Sequence, residues 1–422
     1  MSTNYYSQKK PGRLNTVPFI DRVAKSIVFR QLQQITHGEI IIVENDNVHL
    51  FGSKSGDCQI QAKIYINCPS VYSDIAFNGT IGAGEAYILE KWQSPDLVEV
   101  IRVLSSNLDI MNQLDDRWAI IKTLFSYILH KLNANTRSGS RKNIAAHYDL
   151  GNSFFRTFLD PTMMYSSAVY PDEESDLDEA AVNKLELVCK KLELKPSDHL
   201  LEIGTGWGGM SIYAARHYGC QVTTTTISQQ QYDYTIAQVK KVGLENKVTV
   251  LLKDYRELEG KFDKIVSIEM IEAVGNKFYT EYFRRCSSLL KENGLMVIQA
   301  ITIADQRYKR AINSVDFIQR YIFPGGELPS IEVISKHISA DTDMQVIDLE
   351  DITSHYARTL ADWKKRFFDN MDAILNEGFD KLFIRMWEFY FCYCEGGFRE
   401  RVISTSQLVF AKPGYRYSEN GA

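Results

Sequence analysis

The sequence predicts an α/β protein: a doubly wound, seven-stranded, Rossmann-like domain preceded by a small α+β module. Three observations carry this expectation. From about residue 143 onward, short β-branched runs alternate with amphipathic stretches of helix length. The run DHLLEIGTGWGGMSIYAARHYG (198–219) reads as a strand, a glycine-packed turn and a helix. Residues 37–108, by contrast, hold several short strand-like runs ahead of a well-signalled helix start. At 422 residues the chain exceeds one compact core, so two domains are expected.

The elements follow in order. Residues 1–36 carry Lys9, Lys10, Arg13, Arg22, Lys25 and Arg30 against Asp21 alone. Within them, FIDRVAKSIVFRQLQQI (19–35) sets Ile20, Val23, Ala24, Ile27, Val28 and Leu32 largely on one helical face beside the basic residues. Such a helix suits an anionic lipid surface or an ordinary domain core. Strand-like runs follow at Ile40–Val43, Val48–Phe51 and Gln59–Ile66, then the glycine-rich stretch 78–92. A helix opens at Ser94-Pro95-Asp96, with a capping serine, a first-turn proline and an early acid. Residues 1–108 are thus expected to form a membrane-docking module. Residues 109–142, ending in the polar, basic NANTRSGSRKN, read as a helical linker, and 143–422 as the catalytic domain. Strands are expected at 199–203, 221–226, 247–252, 263–268, 294–301, 345–350 and 404–410. The longer insertions 303–343 and 355–400 would build a substrate pocket above the carboxyl ends of those strands.

Composition narrows the function classes. Hydrophobic residues at 45% and charged residues at 24% are those of a globular protein. A net charge of −5 offers no overall basic footprint, so no nucleic-acid partner is expected. No apolar run reaches membrane-spanning length, and MSTNYYSQKK has no apolar signal core. The seven cysteines are scattered without zinc spacing, which predicts reduced thiols in a cytoplasmic protein and no metal centre.

The glycine run carries the chemistry. Gly204, Gly206 and Gly209 match G-x-G-x-x-G, and Gly208 adds a fourth glycine. Both dinucleotide enzymes and S-adenosylmethionine (SAM) enzymes use such a turn. A dinucleotide site wants an acid at the end of the next strand, about 20 residues on. Here that segment, 219–231, holds four threonines and no carboxylate. Asp254 closes the following strand, either as the carboxylate that meets an adenine amino group or as a plain turn cap.

Several runs are more specific than a nucleotide fold. They are Ser140–Asn152, Tyr165-Ser166-Ser167, Glu202–Gly209, Ile271-Glu272-Ala273-Val274-Gly275, Tyr321–Gly326 and Glu395–Arg399. IGAGEAY (81–87), Trp92 and Ser94–Leu97 extend the match toward the N-terminus. On these the chain resembles the cyclopropane-fatty-acyl-phospholipid synthase family of SAM-dependent lipid enzymes. Within that family it is similar to the branch with Gln in place of the bicarbonate-site His.

The resemblance implies transfer of a methylene from SAM to the cis double bond of phospholipid acyl chains. A carbocation would form and lose a proton to a bound bicarbonate. It implies that Glu272 and Tyr390 grip the bicarbonate, that the backbone of Ile268 lines it, and that Gln299 and Ser167 stand where a His and a Cys are better known. For SAM it implies Tyr165 and Ser166 over the methionine end, Glu202, Gly204 and Gly206 beneath it, Thr226 and Gln231 at the ribose, and Asp254 and Tyr255 at the adenine. A homodimer at the inner face of the membrane is implied as well. A methyl-branched product, or a catalytically silent lipid-binding scaffold, remains open at this level. His147 and Asp149 read as structural or lid residues.

Overall fold

The computed structural model describes residues 18–54, 59–108 and 150–416. The expected linker 109–142, His147 and Asp149 lie outside the described residues. The chain divides into two compact units: residues 1–147 with 380–396, and residues 148–379 with 397–422. The segment expected as one catalytic domain therefore gives up Asp380–Gly396 to the N-terminal unit.

In the N-terminal unit, β1 (Gly38–Glu44), β2 (Asn47–Ser53), β3 (Gln61–Ile66) and β4 (Trp92–Gln93) form a sheet of order β2-β1-β3-β4. Strand β1 alternates buried and half-buried residues along its whole length, which drives Ile40 and Ile42 into the core. The glycine-rich stretch belongs to a helix, Val71–Ile88, kinked at Gly79. Gly82 lies so close to the Asp74 carbonyl that a Cβ would come within 2.0 Å of its oxygen, so the kink needs glycine there. Helix Leu97–Ser106 starts as expected, but its cap is Asp96, which accepts from the Glu99 amide at 3.2 Å. Ser94 sits two residues too early for that role and accepts instead from the Asp96 amide at 3.1 Å.

Helix Lys381–Arg399 is where the chain returns to this unit. Buried Arg385 donates to the Tyr87 carbonyl from Nε at 2.9 Å and Nη2 at 2.7 Å, and its guanidinium lies 4.0 Å from the Tyr87 ring centre. That pair joins two segments far apart in sequence by a charged hydrogen bond and a cation–π contact.

The second unit is built on β5 (His199–Ile203), β6 (Gln221–Thr226), β7 (Val248–Leu252), β8 (Phe262–Ile268), β9 (Leu290–Ile303), β10 (Gln345–Asp351) and β11 (Ile403–Ala411). Their order is β10-β11-β9-β8-β5-β6-β7. Strands β5 to β9 run parallel, and β11 and β10 close one edge antiparallel. The expected strands fall within a residue of the observed ones, except that β9 runs longer at both ends, from Leu290 to Ile303.

Parallel strands buried on both faces need apolar side chains on both, and the two faces divide by alternation. Leu201, Ile203, Ile265 and Ile298 pack with helix Tyr279–Leu289 on one side. Leu200, Val222, Val266 and Val297 pack with helices Leu177–Lys191 and Gly209–Tyr218 on the other. The carboxyl ends of β5, β6, β8 and β9 are thereby aligned along one rim.

Arg385→Ala removes both side-chain hydrogen bonds to the Tyr87 carbonyl and the cation–π contact with its ring, leaving that carbonyl the Glu90 amide alone. It is expected to cost about 2–4 kcal/mol of unfolding free energy in urea titration. A loss below about 0.5 kcal/mol would show that this contact does not secure 380–396 to the N-terminal unit.

Candidate active site

At that rim, β8 ends at Ile268 opposite Gln299 of β9. The next residue, Glu269, has φ of +47°, a left-handed backbone that costs a side-chain-bearing residue about 1–2 kcal/mol. Its amide donates to the Gln299 carbonyl at 2.7 Å, and its carboxylate receives the Gln299 Nε2 at 2.8 Å. Oε1 also accepts from the Ser167 amide at 2.9 Å, and Oε2 accepts from the Tyr356 hydroxyl at 2.8 Å. Gln299 is turned the right way by Gln407, whose Nε2 donates to its oxygen at 3.0 Å. The same Gln299 amide donates to the Ser167 carbonyl at 3.2 Å.

Three residues further on, Glu272 is also buried. Its Oε1 accepts from the Ile301 amide at 2.5 Å, and its Oε2 has no hydrogen-bond partner among the described residues. Burial pushes Glu272 up to about 8, and the neighbouring charge of Glu269 pushes in the same direction. Burial raises Glu269 too, while Gln299, the Ser167 amide, Tyr356 and the Lys184 ammonium pull it back. The two carboxyls therefore sit in different surroundings: three hydrogen-bond donors and the Lys184 ammonium face Glu269, whereas Glu272 receives one amide.

Lys184 supplies the counter-charge. It is fully buried, donates to the Ser166 hydroxyl at 2.8 Å, and is drawn by Glu269, Asp160 and Glu202 even as burial lowers it to about 8. An aromatic belt adjoins these groups. Tyr356 lies against Phe398 at 4.4 Å and Trp363 at 6.0 Å, and Trp363 leads to Tyr165 at 5.2 Å and on to Phe323. Ring faces in such a belt suit a cation held away from water.

The glycine turn sits at the end of β5. Gly208 and Gly209 are crowded: a Cβ would meet Thr235 at 2.7 Å or the Thr162 carbonyl at 2.6 Å. Gly206, with φ of +52°, faces nothing within 4 Å, so its backbone is the part of the turn left open to a ligand. Glu202 is buried below the turn, bonded to Ser211 and to Thr224 at 2.7 Å, and raised to about 7 by burial. At the end of β6 the Thr226 hydroxyl donates to Gln231 Oε1 at 2.8 Å. Asp254 acts as the cap of the short turn 255–257, accepting from the Arg256 amide and side chain. Beside it Tyr255 packs on Tyr282 at 5.5 Å. Most of the sequence-derived cofactor residues thus line one rim. They fit a nucleoside ligand through the open Gly206 backbone.

Of the residues expected around the reacting carbon, Ile268, Gln299, Ser167 and Glu272 come together here. Tyr390 belongs to the N-terminal unit, against Trp387 at 5.3 Å and Phe391 at 5.0 Å. Within the second unit the Tyr356 hydroxyl reaches Glu269, and no motif singled it out. Glu269 and Lys184 were missed as well. Glu269 stands two residues ahead of the Ile271–Gly275 run, and its signal was an acid directly after a buried strand.

The family model described as mycolic acid cyclopropane synthetase matches residues 135–408. A tuberculostearic acid methyltransferase of Mycobacterium tuberculosis is 34% identical over 388 residues, 90% of this chain and 89% of that one. A cyclopropane-fatty-acyl-phospholipid synthase of Escherichia coli is 35% identical over 353 residues, 83% of this chain and 88% of that one. Among solved structures, a mycolic acid cyclopropane synthase complexed with SAH and CTAB aligns with a TM-score of 0.57 at 31% identity, covering 64% of this chain and 98% of that one.

The raised Glu272 has a consequence for stability. Between the ordinary carboxylate range and about 8 the folded state keeps a proton that the unfolded state has lost. Stability therefore falls as pH rises through that window, by at most about 1.4 kcal/mol per pH unit for one proton. Glu202 adds the same sign up to about 7. Denaturation between pH 5 and 8 should show the wild type losing stability more steeply than Glu272→Gln. Parallel profiles would mean that Glu272 is ionised in the folded protein.

Proposed function

This chain belongs to the mycolic acid cyclopropane synthetase family and is a SAM-dependent methyltransferase, and on that premise we propose that it alkylates the cis double bond of unsaturated phospholipid acyl chains. The observation that carries the reading is the buried carboxylate pair, Glu269 and Glu272, beside the Tyr356–Trp363–Tyr165 belt at the end of β8. SAM supplies an electrophilic sulfonium methyl. Gly204 and Gly206 would hold its methionine end with Tyr165 and Ser166, and Thr226 and Gln231 would meet the ribose. Asp254 and Tyr255 would meet the adenine, with Glu202 bracing the loop from below. The aromatic faces favour cationic character on the acyl chain, and their burial excludes water that would quench it.

A ring is the first product reading, supported by the Escherichia coli relative. A methyl-branched chain is the second, supported by the tuberculostearic acid methyltransferase that matches 90% of this chain. A silent scaffold is disfavoured by the intact carboxylates and open glycine turn. Incubation with SAM and vesicles of monounsaturated phospholipid should give acyl chains one CH2 heavier by mass spectrometry, and derivatisation separates ring from branch. Unchanged chain masses would overturn the reading.

Access to a bilayer substrate needs a docking surface, because no helix among the described residues is long and apolar enough to cross a membrane. Helix Phe19–Leu32 supports that role. Its inner face buries Asp21, Ala24, Gln31 and Leu32. Phe19 and Val23 stand exposed beside Arg22 and Arg30 and line a shallow groove with Ser26 and Ile27. The expected apolar face is therefore shared between core and solvent. A homodimer, as the family resemblance implies, would double this surface and raise avidity. Binding to anionic vesicles should weaken as salt rises from about 0.05 to 0.5 M, since exposed charges are screened over about 10 Å at 0.1 M. Salt-independent binding, or unaltered binding of Arg22→Glu/Arg30→Glu, would locate docking elsewhere.

A further inference from the structure

The bicarbonate that the family resemblance implies meets a difficulty on this chain. Its expected holders include Ser167 and Gln299, and the Ser167 amide and the Gln299 side chain both donate to the Glu269 carboxylate, while the Ser167 hydroxyl donates to the Ala168 carbonyl. Tyr356 gives its hydroxyl to the same group. A glutamate side chain presents the planar CO2− of bicarbonate, tethered to the backbone. With Glu269 in place, the Ser167 amide, Gln299 and Tyr356 are therefore already engaged by a carboxylate and do not fit a free bicarbonate as well.

We propose that Glu269 is the resident base of the reaction, standing where a bound anion would otherwise be needed. The geometry leaves it the capacity. An ionised carboxylate has about four lone-pair positions. Gln299 Nε2 and the Ser167 amide occupy two on Oε1, and the Tyr356 hydroxyl occupies one on Oε2. One position on Oε2 remains, and Tyr356, which donates to that oxygen, packs within the aromatic belt. A base tied down by three donors from three parts of the chain is also held against wandering onto the electrophilic methyl group.

The step balances without any further reactant. The acyl double bond's π electrons form a carbon–carbon bond to the SAM methyl, the sulfonium–methyl bond breaks, and S-adenosylhomocysteine leaves. A cation is then left on the adjacent acyl carbon. Glu269 takes a proton from the new methyl group, and the electrons of that C–H bond close the three-membered ring. Should a hydride first migrate to the cationic carbon, the same proton loss gives an exocyclic methylene instead. One base thus serves both products.

The inference rests on the alkylation reading, and the wild type tests the two separately: product formation tests the reaction, and its anion dependence tests the base. In buffer purged of carbon dioxide, wild-type turnover on unsaturated phospholipid vesicles should change less than twofold. Glu269→Gln should lower kcat by about 100-fold or more, the usual weight of a general base, with SAM affinity unchanged by calorimetry. Glu269→Gly, which the left-handed backbone accommodates, should lose activity in the same way and recover a part of it with added bicarbonate or formate. Collapse of wild-type turnover without bicarbonate would overturn the proposal. So would an undiminished kcat in Glu269→Gln, or a Glu269→Gly variant that binds SAM normally and that no small anion restores.

Discussion

A carboxylate taken out of water must find its hydrogen bonds inside the protein, and in the catalytic unit that demand falls on Glu269. Its partners come from the 165–168 segment, from β9 and from helix Thr353–Asp369. One side chain thus fixes the relative positions of three pieces that the sequence places nearly two hundred residues apart. The neighbouring groups make sense in that light. Gln299 is held by Gln407 so that its donor end faces Glu269. An amide suits this position because it can donate to the carboxylate and accept from Gln407 while remaining neutral. Buried Lys184 already provides the positive charge, so a charged histidine would add a second cation to an enclosed space.

The fold was legible because its strands are buried on both faces. Runs such as His199–Ile203 and Val248–Leu252 are apolar and β-branched over the length of a strand, and glycines and caps mark their ends. The N-terminal unit was less legible. The stretch 78–92 holds three glycines inside what became a kinked helix, because the backbone passes within contact distance of the Asp74 carbonyl. At Ser94-Pro95-Asp96 two good capping residues compete, and only the backbone path decides for Asp96.

The site was legible where chemistry is local in sequence. The glycine turn, Thr226 with Gln231, and Asp254 with Tyr255 each lie at a strand end, where periodicity alone finds them. Tyr356 and Lys184 could not be found that way. A tyrosine in an amphipathic helix reads as core, and a lysine in helix Leu177–Lys191 reads as solvated surface. Only three-dimensional neighbours turn the first into a donor to Glu269 and the second into its counter-charge. Tyr390 illustrates the converse. It was singled out from its motif, and it packs with Trp387 and Phe391 in the N-terminal unit.

The return of residues 380–396 to the N-terminal unit bears on how the protein is made. During synthesis from the N-terminus, the first unit emerges without the helix that carries Arg385. Until that helix leaves the ribosome, Tyr87 and the apolar side chains around Ile101, which lies against Gly396, lack part of their cover. Strand β11, which lies between β9 and β10, follows that helix in the chain, so the second sheet also awaits a late segment. The nascent chain thus passes through a stage in which both units lack a late segment and leave apolar surface uncovered. Such a stage invites chaperone capture, and it makes the last part of translation the point at which the N-terminal unit becomes committed.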